Sequence, residues 1–153
     1  MSKRNWADSF AHPRYWPTWL AIGAMRLGAW LPWRLKLWIG QGIGLTAWRF
    51  AKRRRHITEV NLRLCFPELD EVQHQQRVRE TFIANGIGLM ETATGWCRDP
   101  EHLRHRVTFK GQEHMARVQA EGKGALIVGV HFSTLDLGGA LYSLFFTADA
   151  VYR

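Results

Sequence analysis

A histidine and an aspartate, His131 and Asp136, lie five positions apart in a polar stretch of this 153-residue sequence. Imidazole changes its protonation state near neutral pH, so a histidine can take a proton from a substrate, and a neighbouring carboxylate can fix the tautomer that does so. The pair therefore predicts a general base, His131, oriented by Asp136. The same spacing also arises where an acid merely caps a helix beside a histidine, and spacing alone leaves both interpretations open.

The elements on either side of the pair would position it. Residues 125–130 form a short apolar run bounded by glycines, a pattern typical of a strand buried on both faces of a sheet. Ser133 or Thr134 then provides a helix N-cap, which places Asp136 in the first turn, where the helix dipole favours an anion. We expect the Asp136 carboxylate to reach back to one nitrogen of His131 and leave the other facing the crevice beyond the strand ends.

The rest of the carboxyl-terminal part alternates helices with strands. Asp70 predicts the start of a long amphipathic helix over residues 71–96, and a strand over 106–110 precedes a helix over 112–121. Residues 150–152 open a third strand. The predicted fold class is therefore α/β, with amino-terminal membrane-associated helices followed by a partial parallel or mixed sheet flanked by helices. The edge of that last strand would be unpaired, so we expect the chain to be a truncated part of a longer protein.

Basic and aromatic residues are concentrated in the first third of the chain. Residues 1–55 hold eleven Lys or Arg against one acid, Asp8, together with seven of the eight tryptophans. Indoles and cations together are typical of a membrane–water interface. We therefore divide the chain into a membrane-anchoring segment, 1–55, and a second domain, 56–153. The predicted membrane-contacting residues are Arg26, Trp30, Trp33, Lys52, Arg53, Arg54 and Arg55.

The mode of membrane contact and the nature of the partner stay open at this point. The mostly apolar residues 16–33 approach the length of about 20 that a spanning helix needs, but Arg26 lies among them. A tilted span and a helix lying in the interface both fit this pattern. A nucleic-acid-binding module is the rival interpretation of the basic segment, although the intervening Leu, Ile, Ala and Gly residues suit lipid better.

The sequence does not indicate a metal or a cofactor. Cys65 and Cys97 are its only cysteines and form no CxxC pair, so neither a disulfide framework nor a thiolate metal site is indicated. Metal-dependent hydrolysis with His131 and Asp136 as ligands would need further ligands, which are not evident in the sequence. We predict no metal and no cofactor.

Several segments, in their order along the chain, resemble those of the late acyltransferases of lipid A biosynthesis, which are lauroyl and myristoyl transferases of Gram-negative inner membranes. The resemblance covers essentially the whole chain, and the His-x4-Asp pair corresponds to the catalytic motif of that family, in which the acid is frequently Glu. The resemblance rests on the aromatic-rich amino-terminal segment and the basic run. It also rests on Asn61, Leu62, residues 65–69, Gly111, residues 122–124, His131, Asp136 and residues 151–153.

The resemblance implies a glycerol-3-phosphate acyltransferase-like fold and transfer of a fatty acyl chain from acyl carrier protein, or from acyl-CoA, to a hydroxyl of a lipid A precursor. It implies a location at the bacterial inner membrane with the active site on the cytoplasmic side, and no nucleic-acid partner. His131 would be the general base and Asp136 its orienting acid. Arg153, Ser133 and Thr134 are the expected substrate-binding residues, with Arg153 on a phosphate or sugar and neither hydroxyl acting as nucleophile. Because chains of this family are longer, a catalytically incomplete, membrane-anchored fragment is the alternative.

Overall fold

The chain folds into helices because its apolar residues recur at intervals of three and four over much of its length. The structure, a computed structural model, describes residues 12–130 and 132–147; His131 and Arg153 lie outside them. Two short 3-10 helices, Pro13–Tyr15 and Pro100–Arg106, accompany the α-helices of the described residues. The α-helices are α1 (Trp16–Trp30), α2 (Trp33–Phe50), α3 (Lys52–Cys65), α4 (Glu71–Cys97), α5 (Gln112–Ala120) and α6 (Leu135–Tyr142).

Helix α4 is the central element of this arrangement. It begins with a capping box, in which the Asp70 side chain accepts a hydrogen bond from the Gln73 backbone and the Gln73 side chain accepts one from the Asp70 backbone. The prediction of a long helix starting after Asp70 is thereby confirmed. Helix α4 packs against α1, α2, α3 and α6. Its buried residues recur at every fourth position over four helical turns, at His74, Val78, Phe82, Gly86 and Met90.

Helices α2 and α4 cross with their backbones in direct contact. Gly40 and Gly44 lie about one turn apart on α2, opposite Gly86 on α4. A Cβ atom added to Gly86 would overlap the Gly40 carbonyl oxygen and lie 2.8 Å from the Gly44 Cα. Such an approach is open only to glycine, so these three residues set the distance between the two helices.

Lys36 is a buried cation that connects three helices. From α2, its ammonium group donates to the Ala29 carbonyl oxygen of α1 at 2.7 Å and to Thr94 Oγ1 of α4 at 2.8 Å. The same nitrogen lies 5.7 Å from the centre of the Trp33 ring. Burial, together with the neighbouring Arg98 guanidinium, lowers the pKa of Lys36. Two neutral oxygens and an aromatic ring thus hold a charge that is costly to bury.

The predicted α/β fold is wrong, because residues 12–130 and 132–147 contain no strand. Residues 125–130, expected as a strand buried on both faces, are irregular, and the Leu126 and Val128 side chains are 92% and 85% exposed. A strand needs a neighbour to satisfy its backbone hydrogen bonds, and no segment of the described chain pairs with this one. An apolar run bounded by glycines does not by itself distinguish a paired strand from an exposed loop.

The two other predicted strands also find no support. Arg106, expected to begin a strand over 106–110, instead ends the 3-10 helix Pro100–Arg106, and the residues after it form no ladder. The strand expected at 150–152 lies outside the described residues. The partial parallel or mixed sheet is therefore replaced, in the described part of the chain, by helices, of which α1, α2, α3 and α6 pack against α4.

The basic run at residues 52–55 forms the first turn of α3 rather than the end of the apolar helix before it. Helix α2 ends at Phe50, and Ala51 alone separates the two helices. Cations in a first turn face the positive end of the helix dipole, which disfavours them. Within this run, Arg55 forms an ion pair, because its Nε lies 3.5 Å from Oε1 of Glu59, one turn further along the helix.

Candidate active site

Asp136 lies in the first turn of α6, as predicted. Thr134 occupies the N-cap position, and its carbonyl oxygen accepts a hydrogen bond from the Gly138 backbone at 2.8 Å. The Thr134 side chain makes no capping hydrogen bond, so the expected role of its hydroxyl in capping is not realised. Thr92 Oγ1, on α4, donates to Asp136 Oδ2 at 3.3 Å. The carboxylate is thus held by α4 while Asp136 remains exposed.

Two glycines of α4 allow the Asp136 segment to approach that helix closely. A Cβ atom on Gly88 would lie 2.9 Å from the Ser133 carbonyl oxygen, and one on Gly95 would lie 3.2 Å from the Leu137 Cα. Gly88 and Gly95 are two helical turns apart, so they lie on one face of α4. Leu137 is buried in this contact. The start of α6 is therefore seated against a defined face of the central helix.

The same face carries two polar residues that sequence reasoning missed, Glu91 and Thr92. Gly88, Glu91, Thr92 and Gly95 follow the i, i+3, i+4, i+7 spacing of one helical stripe. Two glycines bracketing two polar residues on one stripe were a signal already present in the sequence. The stripe places a carboxyl group and a hydroxyl group beside the segment that carries Asp136.

A cavity of about 460 Å³ lies beside this stripe. Glu91 and Thr134 bring polar atoms to it, and Glu91 Oε2 is buried without a hydrogen-bond partner. Burial raises the pKa of the Glu91 carboxyl. Helices α2, α4 and α6 and the 3-10 helix Pro100–Arg106 all contribute to its wall. The other lining residues are Trp33, Leu103, Arg106, Val107, Leu137, Gly138 and Leu141.

The predicted catalytic and substrate-binding residues fall into two groups. Asp136, Ser133 and Thr134 lie together at the start of α6, all exposed, and Thr134 also lines the cavity. His131 and Arg153 lie outside the described residues. The orientation of His131 by Asp136 and the contact of Arg153 with an acceptor therefore stay predictions.

The predicted membrane-contacting residues of the first two helices occupy different surroundings. Arg26 and Trp30 are exposed on α1, and the Arg98 guanidinium lies 4.8 Å from the centre of the Trp30 ring. Trp33 is half-buried and forms part of the cavity wall beside Lys36. Trp30 is thus accessible to a bilayer, whereas Trp33 has an internal packing role.

The basic run presents three exposed cations and one half-buried one. Lys52, Arg53 and Arg54 are exposed, and Arg55 is half-buried between Glu59 and the Trp48 ring, whose centre lies 5.9 Å from its guanidinium. Three of the four charges are therefore available to an anionic surface.

Helices α1 and α2 together display a broad apolar surface. On α2 it includes a shallow recess of about 790 Å³ lined by Ile39, Ile43, Phe50 and smaller residues. Trp38, also on α2, is 76% exposed. None of the helices in the described ranges is long and apolar enough to cross a bilayer. Further large apolar side chains exposed on α1 are Trp16, Trp19, Leu20, Ile22, Leu27 and Trp30.

The chain belongs to the bacterial lipid A biosynthesis acyltransferase family, which it matches over residues 3–148. The resemblance inferred from the sequence is thereby confirmed. The chain is 40% identical to the lipid A biosynthesis lauroyltransferase of Escherichia coli K12 over 149 residues, which are 97% of this chain and 49% of that protein. It is 36% identical, with the same coverage, to the lipid A biosynthesis palmitoleoyltransferase of that strain.

A third relative is the lipid A biosynthesis myristoyltransferase of the same strain, 31% identical over 133 residues that make up 87% of this chain and 41% of that protein. The chain thus spans about half the length of the curated relatives it matches. No solved structure is significantly similar to it.

Proposed function

We propose that this chain acts in a lipid A acyltransferase, which transfers a fatty acyl group from acyl carrier protein, or from acyl-CoA, to a hydroxyl of a lipid A precursor. The observation that carries the proposal is the family match over residues 3–148. The relatives are named for lauroyl, palmitoleoyl and myristoyl transfer in lipid A biosynthesis, which supports a fatty acyl donor and a lipid A precursor as acceptor.

In the proposed reaction, His131 takes the proton of the acceptor hydroxyl as its oxygen attacks the carbonyl carbon of the acyl thioester. The tetrahedral intermediate then collapses, the carbon–sulfur bond breaks, and the imidazolium returns its proton to the leaving thiolate. The products are an ester and a free thiol. A positioned base of this kind contributes about 10²–10⁴ in rate.

Asp136 has the role of fixing the His131 tautomer and stabilising the imidazolium. Its exposed position in the first turn of α6 and its hydrogen bond from Thr92 support this role, since the carboxylate is held in place yet accessible. Ser133 and Thr134, which are exposed beside it, are assigned to substrate contact, and neither is assigned the role of a nucleophile. Arg153 is assigned to a phosphate or sugar of the acceptor through a forked pair of hydrogen bonds.

Substitution of the catalytic pair tests the mechanism. We expect His131→Ala to abolish transfer and Asp136→Asn to lower kcat by about 10²–10⁴, because the amide keeps the shape but not the charge that stabilises imidazolium. Asp99→Asn is the matched control, since Asp99 caps the 3-10 helix Pro100–Arg106 by accepting from the Glu101 backbone at 2.9 Å. Substantial transfer by either site variant would remove the pair from the mechanism.

The same variants are made at the aligned positions of the full-length E. coli lauroyltransferase. Loss of transfer there, combined with an inactive wild-type 153-residue chain, would identify this chain as a catalytically incomplete piece that still carries the base and its acid. Activity of the 153-residue chain itself would exclude that alternative.

The proposed location is the bacterial inner membrane, with the active site on the cytoplasmic side. Support comes from the exposed apolar surface of α1 and α2 and from the exposed cations Lys52, Arg53 and Arg54 next to it. Cations beside an apolar surface are attracted to anionic lipid by about 1 kcal/mol each. Indoles at that surface, such as Trp38, suit the interface because their rings are apolar and their N–H is polar.

Vesicle binding tests the location. We expect the chain to bind vesicles of phosphatidylethanolamine and phosphatidylglycerol more tightly than vesicles of phosphatidylcholine, and the double variant Arg53→Glu/Arg54→Glu to lose this preference. The control variant is Lys123→Glu. Lys123 is an exposed cation outside the basic run, and its Nζ lies 2.8 Å from Glu121 Oε2. Tighter, salt-sensitive binding to duplex DNA than to either vesicle would favour the nucleic-acid interpretation and contradict the membrane one.

A further inference from the structure

The recess on α2 follows one face of that helix. Its lining residues at positions 39, 43, 46 and 50 are spaced by four, three and four along the chain. Gly42 also lines the recess and leaves open space, since a Cβ atom added there meets no atom within 4 Å. Thr46 Oγ1 donates to the Gly42 carbonyl oxygen at 2.8 Å, so this hydroxyl of the lining is already satisfied. The recess therefore presents an apolar surface to a ligand.

The dimensions of the recess suit one acyl chain. Ile39 and Phe50 belong to one continuous helix and lie about 16 Å apart along its axis. The hydrocarbon of one bilayer leaflet is about 15 Å thick, which is half of the bilayer core. The side chains of Ile39, Ile43 and Phe50 are 37%, 40% and 75% exposed, so a bound acyl chain would remove apolar surface from water.

The recess ends at a cluster of unpaired positive charge. Ala51 is part of its lining, and the basic run begins at the next residue, Lys52. Among the described residues, no carboxylate forms an ion pair with Lys52, Arg53 or Arg54, and all three side chains are exposed. An apolar recess that ends at unpaired cations complements a molecule with an apolar chain and an anionic head.

The basic end of the recess is distant from the candidate active site. One turn forward on α2, from Gly40 to Gly44, moves the backbone contact one turn back on α4, from Gly86 to Phe82. This antiparallel register places the basic end of the recess about 25 Å along α4 from Thr92. A head group bound there would not reach the carboxylate that Thr92 holds.

We propose that the recess and the basic run together bind one anionic phospholipid of the bilayer, with an acyl chain along α2 and the head group on Lys52, Arg53 and Arg54. This lipid is neither the donor nor the acceptor of the acyl group, and it fixes the position of α2 relative to the membrane. The inference rests on the proposed membrane location and adds to it a site for a single lipid. Binding at this site requires the shape of the recess as well as the charge.

Calorimetric titration with short-chain lipids, kept below their critical micelle concentrations, tests the site without a bilayer. The probes are dihexanoyl phosphatidylglycerol, dihexanoyl phosphatidylcholine and inorganic phosphate. We expect one molecule of the phosphatidylglycerol to bind about tenfold or more tightly than the phosphatidylcholine, as two or more cations near an anionic head group would give. Equal affinities for the two lipids would overturn the proposal. Inorganic phosphate that bound as tightly as the phosphatidylglycerol would also overturn it, because the recess would then contribute nothing.

Two glycines with open space at the Cβ position provide a matched pair for the recess. Gly42 lines it, whereas Gly23 lies on α1 outside it, and a Cβ atom at either residue meets no atom within 4 Å. Gly42→Leu should weaken binding of the phosphatidylglycerol about tenfold or more, because leucine fills the recess, and Gly23→Leu should leave it unchanged. Both variants add apolar surface. Equal or tighter binding by Gly42→Leu would therefore show that apolar surface in general holds the lipid, and it would overturn the proposal.

Substitution of cations locates the head group. The double variant Lys52→Gln/Arg53→Gln should reduce the preference for phosphatidylglycerol over phosphatidylcholine to less than about threefold. Arg34→Gln, which removes an exposed cation near the opposite end of α2, should retain the full preference. A preference that survives in the double variant would contradict the assignment of the head group to the basic run.

A second copy of the chain is the competing occupant of the recess. Analytical ultracentrifugation detects it as a dimer, and the same Gly42→Leu variant shows whether the recess forms the interface. A dimer that Gly42→Leu dissociates, in a chain that does not bind the short-chain phosphatidylglycerol, would assign the recess to self-association and overturn the proposal.

The inference and the proposed function fail in different experiments. Acyl transfer and a preference for anionic vesicles, without binding of the short-chain phosphatidylglycerol, would remove only the lipid site. Binding of that lipid by a chain with no preference for anionic vesicles would keep the site and remove the proposed membrane location.

Discussion

Thr92 Oγ1 donates a hydrogen bond to Asp136 Oδ2 at 3.3 Å, joining the carboxyl-terminal part of α4 to the first turn of α6 across 44 positions of sequence. Helix α4 is also packed backbone to backbone against α2 at Gly86. The acid of the candidate site is therefore fixed relative to the helices that carry the exposed apolar surface. A lipid-bound acceptor and the proposed catalytic pair would be aligned through this one helix.

The first prediction concerns the hydroxyl of Thr92. Thr92→Val keeps the shape but removes the donor, so Asp136 should be less well positioned and kcat/KM for acyl transfer should fall about fivefold, the equivalent of about 1 kcal/mol for a hydrogen bond at the surface. Thr92→Ser should restore most of the activity.

Thr81 gives the matched control for this prediction. Its hydroxyl donates to the Arg77 carbonyl oxygen of the same helix at 2.8 Å, so Thr81→Val removes a hydroxyl from α4 without touching α6. Equal activity losses in Thr92→Val and Thr81→Val would show that Thr92 acts through the helix and not through Asp136.

The second prediction concerns the crossing of α2 and α4. A Cβ atom at Gly44 would lie 2.7 Å from the Ile83 Cα and 2.8 Å from the Phe82 carbonyl carbon, so Gly44→Ala should lower the free energy of unfolding by about 1–3 kcal/mol. Gly42, two positions earlier on the same helix, meets no atom within 4 Å. Gly42→Ala should therefore raise that free energy by about 0.5–1 kcal/mol.

Denaturant unfolding of the two variants measures both effects. Because the substitution is identical and both sites lie in α2, helix propensity favours both equally, and only the backbone contact distinguishes them. A Gly44→Ala variant as stable as Gly42→Ala would mean that α2 and α4 do not approach each other in the way described.

Local signals in the sequence were sufficient where the interaction that stabilises an element lies within a few residues. The Asp70–Gln73 capping box starts α4 at the predicted position, and Asp136 lies in the first turn of α6 as predicted. Both features depend on backbone groups within one helical turn, so no distant partner is needed to define them.

The sheet was predicted wrongly because strand formation depends on distant partners. Residues 125–130 carry a strand-like apolar pattern, but a ladder requires a neighbour, and the described chain offers none. Glu91 was missed for a related reason, since the cavity that it lines is completed by residues 134–141, which lie more than 40 positions further along the chain. Gly88 and Gly95, which allow Ser133 and Leu137 to approach α4 closely, are the signal of this packing within the sequence of α4.

The third prediction concerns the pH dependence set by Lys36. Its pKa is lowered in the folded chain by burial and by Arg98, so between that lowered value and 10.5 the unfolded chain binds more protons, and stability should rise with pH. Both hydrogen bonds, to Ala29 and Thr94, survive deprotonation because a neutral amine keeps two N–H donors.

The difference in unfolding free energy between the wild type and Lys36→Met isolates this contribution. We expect the difference to shift in favour of the wild type as the pH rises towards 10.5. A difference for Lys36→Met that is independent of pH would show that the ammonium is as well solvated in the folded chain as in the unfolded one.

The fourth prediction concerns Glu91, whose effect on stability should depend on pH in the opposite direction to that of Lys36. Burial raises its pKa above 4.5 in the folded chain, so the folded chain binds more protons above that value, and the stability contributed by Glu91 should be lost as the pH rises through its folded pKa. Glu91→Gln does not titrate. Its advantage in stability over the wild type should therefore grow from pH 4.5 towards neutrality.

Glu101 provides a control of opposite sign for this measurement. Hydrogen bonds from the Arg104 guanidinium lower the pKa of Glu101, so the stability it contributes is present above 4.5 and lost as the pH falls through its folded pKa. Glu101→Gln should thus become less stable relative to the wild type as the pH rises, while Glu91→Gln becomes more stable. If both differences moved in the same direction, the Glu91 carboxylate would have to be well hydrated or paired in the folded chain.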